Sequence, residues 1–201
     1  INSENDQVAN YYPEMLDVGP GEGPKEGRYV FPENSDITFR QLIGNTSGYM
    51  KPGENCGQVF NYQTFGMNIL THAIASAYNL YKTSLPERGG GFGTLTEWKI
   101  RDPIGGRWSW TYKNFNMQPK AKLGIFGYMT NYQMTPRDMA RLGWLWLKKG
   151  DWNGNSIIPS AWIEKATKVS TEILENEPAE RHVYGLGFWC NDQGQVWPSL
   201  P

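Results

Sequence analysis

Nucleophilic catalysis needs a serine or cysteine beside a base, and the base most often used is histidine. This sequence has two histidines. His72 falls inside a long helical pattern, where a histidine serves the core or the surface; His182 follows Pro178-Ala179-Glu180-Arg181 on an exposed stretch. Neither stands near a Gly-x-Ser-x-Gly elbow, because none is present. Gly89-Gly90-Gly91-Phe92-Gly93 follows a helix and lacks the Lys-Ser/Thr ending of a phosphate loop, so it reads as a flexible connection. Ser47, in Thr46-Ser47-Gly48, has Met50 rather than lysine three residues on, and no serine in the chain has a lysine at that spacing. Arg137, Asp138 and Arg141 could form an anion site, but a capping Asp138 with arginines fixing a helix to its loops explains them as well.

Composition narrows the field further. The chain has 201 residues, about one domain's worth, with 39% hydrophobic and 19% charged residues, enough apolar side chains for a packed core. Nineteen basic against 20 acidic residues argue against a nucleic-acid binder, which needs a basic excess or patch. No apolar run reaches the length of a membrane-spanning helix. Cys56 and Cys190 allow one disulfide or two separate thiols, and with His72 and His182 they make no metal-site spacing. No cofactor motif is present. The 14% aromatic content is unusual; such side chains fill cores and line binding clefts.

The elements that would position any site can be read from periodicity. Residues 1–35 are broken by glycine and proline and read as a surface loop. Asp36 caps a short helix over residues 36–43. Residues 64–82 carry the longest apolar stripe, through Phe65, Ile69, Ala73, Ala77 and Tyr81. A second helix covers 95–101. Thr135, Pro136 and Asp138 open a helix over 136–149, with Met139, Leu142, Gly143 and Trp146 on one face. Another follows Pro159, from Ser160 to about Lys168. Residues 184–190 alternate large and small and read as a strand whose partners lie elsewhere.

Three stretches carry a more specific pattern. They are Ile37 to Gly48; Pro52-Gly53-Glu54 followed by Phe60-Asn61-Tyr62-Gln63-Thr64; and Met134 to Gly143, continued by Gly150-Asp151-Trp152-Asn153-Gly154 and on to Ile163. Their order and spacing resemble the class C β-lactamase-like serine hydrolases, a family that also holds D-Ala-D-Ala peptidases, esterases and nylon-oligomer hydrolases. Val8 to Glu14 and Asp102-Pro103-Ile104-Gly105 add to the resemblance, which covers nearly the whole chain.

The resemblance implies an α+β fold of the β-lactamase/transpeptidase kind. Residues 1–183 would be its mainly helical domain, and 184–201 the start of a return strand to the antiparallel sheet. It implies acyl transfer through a serine nucleophile, with Tyr62 as the phenol that shuttles the serine's proton. A phenol titrates near 10 and needs a nearby cation for that role. Thr64 stands where many members have asparagine. Its hydroxyl donates one hydrogen bond and lacks an amide's two donors and carbonyl, which points to ester or amide hydrolysis over β-lactam hydrolysis. Trp108, Trp110 and Tyr112, with Phe115, fall in a loop that can line the family's cleft. The Ser-x-x-Lys motif and the third, x-Gly motif are absent, so the chain reads as an internal portion of a longer hydrolase, inactive alone, whose partners are its remaining parts and a small-molecule or peptide-like substrate. The family favours a periplasmic or secreted address. The alternative is a non-catalytic, aromatic-rich module binding sugars or peptides.

Overall fold

Residues 1–35 are not only a surface loop: although most of them are exposed or half-buried, several of their apolar side chains enter the core. The computed structural model describes residues 1–86 and 90–190. Three short 3₁₀ turns, at Val8–Asn10, Pro13–Leu16 and Pro32–Asp36, bend the N-terminal segment so that Val8, Tyr12, Met15 and Val18 are all buried. Glycine and proline supply the bends while the apolar residues between them pack inward. Asp36 closes the last of these turns and accepts from Gln7 Nε2 at 3.2 Å. The cap of helix α1 (Phe39–Ile43) is instead Thr38: its hydroxyl accepts from the Gln41 amide at 3.2 Å, and the Gln41 side chain accepts from the Thr38 amide at 2.9 Å. This reciprocal pair satisfies two donors at once, which a lone aspartate does not.

Helix α2 (Thr64–Ala77) buries Ile69, Leu70, His72, Ala73 and Ala75 in the largest core cluster, with Leu42, Tyr49, Met50 and Phe126. It ends earlier than its stripe suggests. Asn79 adopts φ +58°, and the Leu80 amide donates back to Ala75 O at 2.8 Å, a left-handed C-terminal cap. Tyr81 is still buried, but on non-helical backbone.

Residues 91–101 form helix α3 (Gly91–Thr96), continued by a wider turn to Arg101. Gly91 and Gly93 are packing positions. A Cβ at Gly93 would stand 2.0 Å from the Trp110 ring, and one at Gly91 1.7 Å from Tyr112 Oη, so only glycine lets those aromatics close on the helix. Trp110 and Tyr112 lie on strand β1 (Ser109–Asn114), not in a loop; β1 pairs antiparallel with β2 (Tyr128–Gln133), Trp110 opposite Tyr132 and Tyr112 opposite Thr130. A four-residue helix α4 (Leu123–Phe126) sits between them.

Helix α5 (Pro136–Leu147) has the expected capping box, Thr135 with Asp138, but is rotated from the expected face. Asp138 also accepts from the Arg107 amide at 2.9 Å and is buried, which turns Leu145 inward beside Ile104 and Trp108 and leaves Met139 exposed. Strands β3 (Asp151–Trp152) and β4 (Asn155–Ser156) form a small hairpin turned at Asn153-Gly154, both with positive φ. Helices α6 (Ser160–Ala166) and α7 (Thr171–Asn176) follow. Tyr184 to Cys190 does not extend as one strand: Gly187 at φ +83° folds it so that Tyr184 bridges Trp189. The rest of the expected return strand, 191–201, lies outside the described residues. Cys56 and Cys190 are not joined; their sulfurs sit 3.3 Å from Glu33 O and Thr167 O respectively.

Candidate active site

Tyr62 stands on a short extended segment that leads into α2 and is held from both ends. On one side, Asn45, in a left-handed conformation (φ +56°), takes two backbone amides: Asn61 N donates to its carbonyl and Gln63 N to its side-chain oxygen, each at 2.9 Å. Gln63 is then fixed by Arg28, whose Nη2 donates to its Oε1 at 2.7 Å. Ser47 is buried beneath, 3.5 Å from Gln63 Nε2, so this serine supports the turn and is no exposed nucleophile. On the other side, the Phe60 amide donates to Glu177 Oε1 at 2.7 Å and the Phe60 carbonyl accepts from Arg181. Glu177 and Arg181 form an ion pair at 2.6 Å, with the carboxylate almost fully buried. His182 belongs to this support too, its Nε2 lying 2.8 Å from Glu177 O.

With residues 60, 61 and 63 pinned, side-chain alternation along extended backbone directs Tyr62 away from its neighbours. The residue is 54% exposed. It packs against Trp189 at 5.5 Å between centroids and edge-on to Tyr184 at 5.9 Å, over a base formed by Phe60. Burial pushes the Tyr184 phenol up to about 12, and the adjacent Tyr62 phenol adds to that shift, so Tyr184 stays neutral. Among the described residues the Tyr62 hydroxyl makes no hydrogen bond.

Tyr62 and Thr64 line one cavity of about 590 Å³, together with Arg28, Lys51, Glu54 and Asn61. Lys51 Nζ lies 3.3 Å from Glu54 Oε2, and Glu54 Oε1 accepts from Asn61 Nδ2 at 2.9 Å. Burial holds both the Arg28 guanidinium and the Lys51 ammonium below their ordinary ranges, with the Glu54 carboxylate pulling back the other way.

The other aromatic candidates go elsewhere. Trp110 and Tyr112 line a second cavity of about 360 Å³ with Thr111, Asn114 and Tyr128. Trp108 is 3% exposed in the third core cluster and presents no surface to a ligand. Trp189, Tyr184 and Arg28 escaped sequence reasoning. Each reaches Tyr62 or its turn across a long stretch of chain, and nothing local marks it. Among the described residues no group of side chains could hold a metal ion, and no helix is long and apolar enough to cross a membrane.

No protein-family model and no curated protein matches the sequence. Solved structures do. One is a candidate β-lactamase from Bacteroides dorei DSM 17855, similar over 93% of this chain with a TM-score of 0.57 at 15% identity. Another is a candidate 6-aminohexanoate-dimer hydrolase from Bacillus anthracis, similar over 85% with a TM-score of 0.52 at 18% identity. The chain therefore has the α+β, β-lactamase/transpeptidase-like fold. It spans 58% and 47% of those two chains, about half their length.

Proposed function

We propose that this chain supplies the proton-shuttling phenol of a serine hydrolase that works through an acyl-enzyme on an ester or amide. The observation that carries this reading is Tyr62 itself: a tyrosine clamped from both sides, yet open to a cavity at the start of α2, within a fold shared with hydrolases. In this reading polypeptide beyond the present sequence brings a serine and a cation to the phenol. The cation favours the phenolate, which takes the serine's proton as the hydroxyl attacks the carbonyl. The same phenol returns that proton to the leaving group, and water then releases the acyl group. Thr64, at the cavity edge, offers a single hydroxyl to the substrate. Residues 1–183 would form the helical domain and 184–201 the way back to the sheet. Trp110 and Tyr112, walling the second cavity, favour the one competing reading, a non-catalytic module binding sugars or peptides.

A fluorophosphonate reacts only with an activated serine. The protein that carries this chain should be labelled by it, and Tyr62→Phe should slow labelling about 100-fold. No labelling would remove the hydrolase reading and leave the binding module; labelling at an unchanged rate in the variant would remove Tyr62 from the mechanism.

A further inference from the structure

The cavity beside Tyr62 has more positive charge than its own carboxylate can balance. Glu54 brings a single charge to this wall: its Oε1 accepts from Asn61 Nδ2, and its Oε2 faces Lys51 Nζ at 3.3 Å as an ion pair, buried with no hydrogen-bond partner among the described residues. Two cations, Arg28 and Lys51, line the same space. Lys51 is 10% exposed at its side chain, and Arg28 is half-buried. The Arg28 guanidinium spends Nη2 on Gln63, while its Nε is buried and, among the described residues, has no hydrogen-bond partner. A cation removed from water without matching negative charge is costly, and a guanidinium presents its donors in a rigid fork suited to a carboxylate. We infer that the Arg28–Lys51 wall is an anion subsite, and that the ligand taken beside Tyr62 carries a carboxylate. Its role in turnover rests on the hydrolase reading above; its existence as a binding site does not.

Geometry gives the inference its direction. Gln63 ties Arg28 to the turn that presents Tyr62, so an anion drawn to Arg28 lies along the same cavity as the phenol. An ester or amide whose acyl part ends in a carboxylate would be anchored there at one end, with its carbonyl toward Tyr62. Such anchoring restricts the bound substrate to few orientations.

Two measurements test this separately from the hydrolase reading. The first is calorimetric titration of the protein that carries this chain with glutarate, in low salt. Binding should be measurable in the wild type, weaken at least about tenfold in Lys51→Gln, recover in Lys51→Arg, and fade as salt rises. Absence of glutarate binding by the wild type, or equal binding by Lys51→Gln, overturns the subsite. Thermal melts of both variants check that the fold is kept, and recovery in Lys51→Arg separates lost charge from lost structure. The second compares p-nitrophenyl hydrogen glutarate with p-nitrophenyl butyrate as substrates of the protein carrying this chain. A preference of about tenfold for the anionic ester in kcat/KM, collapsing in Lys51→Gln, extends the subsite to turnover. Hydrolysis of both esters without preference contradicts the subsite while sparing the hydrolase. Glutarate binding with neither ester hydrolysed keeps the subsite and sinks the hydrolase.

Discussion

The aromatic group around Tyr62 and the one around His72 use the same side chains to opposite ends. Around His72 the Tyr12, Tyr49 and Tyr81 hydroxyls are turned toward backbone carbonyls, while His72 Nε2 and Tyr112 Oη are buried with no hydrogen-bond partner among the described residues. The imidazole stacks on Tyr81 with centroids 4.0 Å apart and planes 5° from parallel. Tyr12 Oη donates to Ile125 O at 3.1 Å, Tyr81 Oη donates to Gly124 O, and the nearby Tyr49 Oη donates to Met15 O at 2.8 Å. Burial raises all three phenols above their ordinary range and lowers His72 to about 3. Those groups are locked in neutral form and hold the fold. Around Tyr62 the polar support lies under the backbone, through Asn45, Glu177 and Arg181, and the phenol is left open. A tyrosine is made structural or chemically available by what its neighbours bind: its hydroxyl, or the peptide groups on either side of it.

That contrast can be broken at its supports. The largest stability effect is expected for Glu177→Ala. It strips a partner from the Phe60 amide and leaves Arg181 without its carboxylate, so the unfolding free energy should drop by about 3 kcal/mol in denaturant titration. Any ester hydrolysis by the protein carrying this chain should fall with it, because the segment presenting Tyr62 loosens. A loss of stability with no change in hydrolysis would separate the clamp from the site.

Acid should act on the other cluster. His72 is neutral when folded, with its value lowered to about 3 by burial, whereas the unfolded chain takes up a proton near pH 6.5. The unfolded state therefore binds more protons below that value, and stability falls as pH drops from about 6.5 toward 3. By pH 5 the loss from this group is about 2 kcal/mol. His72→Gln should flatten that part of the pH profile; an unchanged slope would mean that another group carries it. A smaller effect, about 1 kcal/mol, is expected for Tyr12→Phe, which removes a hydroxyl and leaves a backbone carbonyl to find another donor.

Much of the helical frame was legible because its signals are local. Thr135-Pro136-Arg137-Asp138 is a start that needs no tertiary contact to be read. Thr38 and Gln41 offered the same signal, and Asp36, closer to the first apolar residue, drew attention away from it. Trp108-Ser109-Trp110-Thr111-Tyr112 alternates as a strand does, yet its aromatics suggested a cleft loop. For the candidate site, Tyr62 and Thr64 came from the family resemblance of their segment; both line one cavity, and their role stays a proposal. The groups that hold or flank them, Arg28, Glu177, Arg181, Tyr184 and Trp189, arrive through long-range contacts, and no spacing rule links residues so far apart in the chain.

The most direct test sets one tyrosine from each cluster side by side in the protein that carries this chain: Tyr62→Phe and Tyr81→Phe, each measured for hydrolysis of an activated ester and for melting temperature. Tyr62→Phe should lose about 100-fold in kcat with its melting temperature unchanged, while Tyr81→Phe keeps its rate and melts several degrees lower. Hydrolysis by Tyr62→Phe within a few-fold of the wild type would contradict the division of labour on which the account rests.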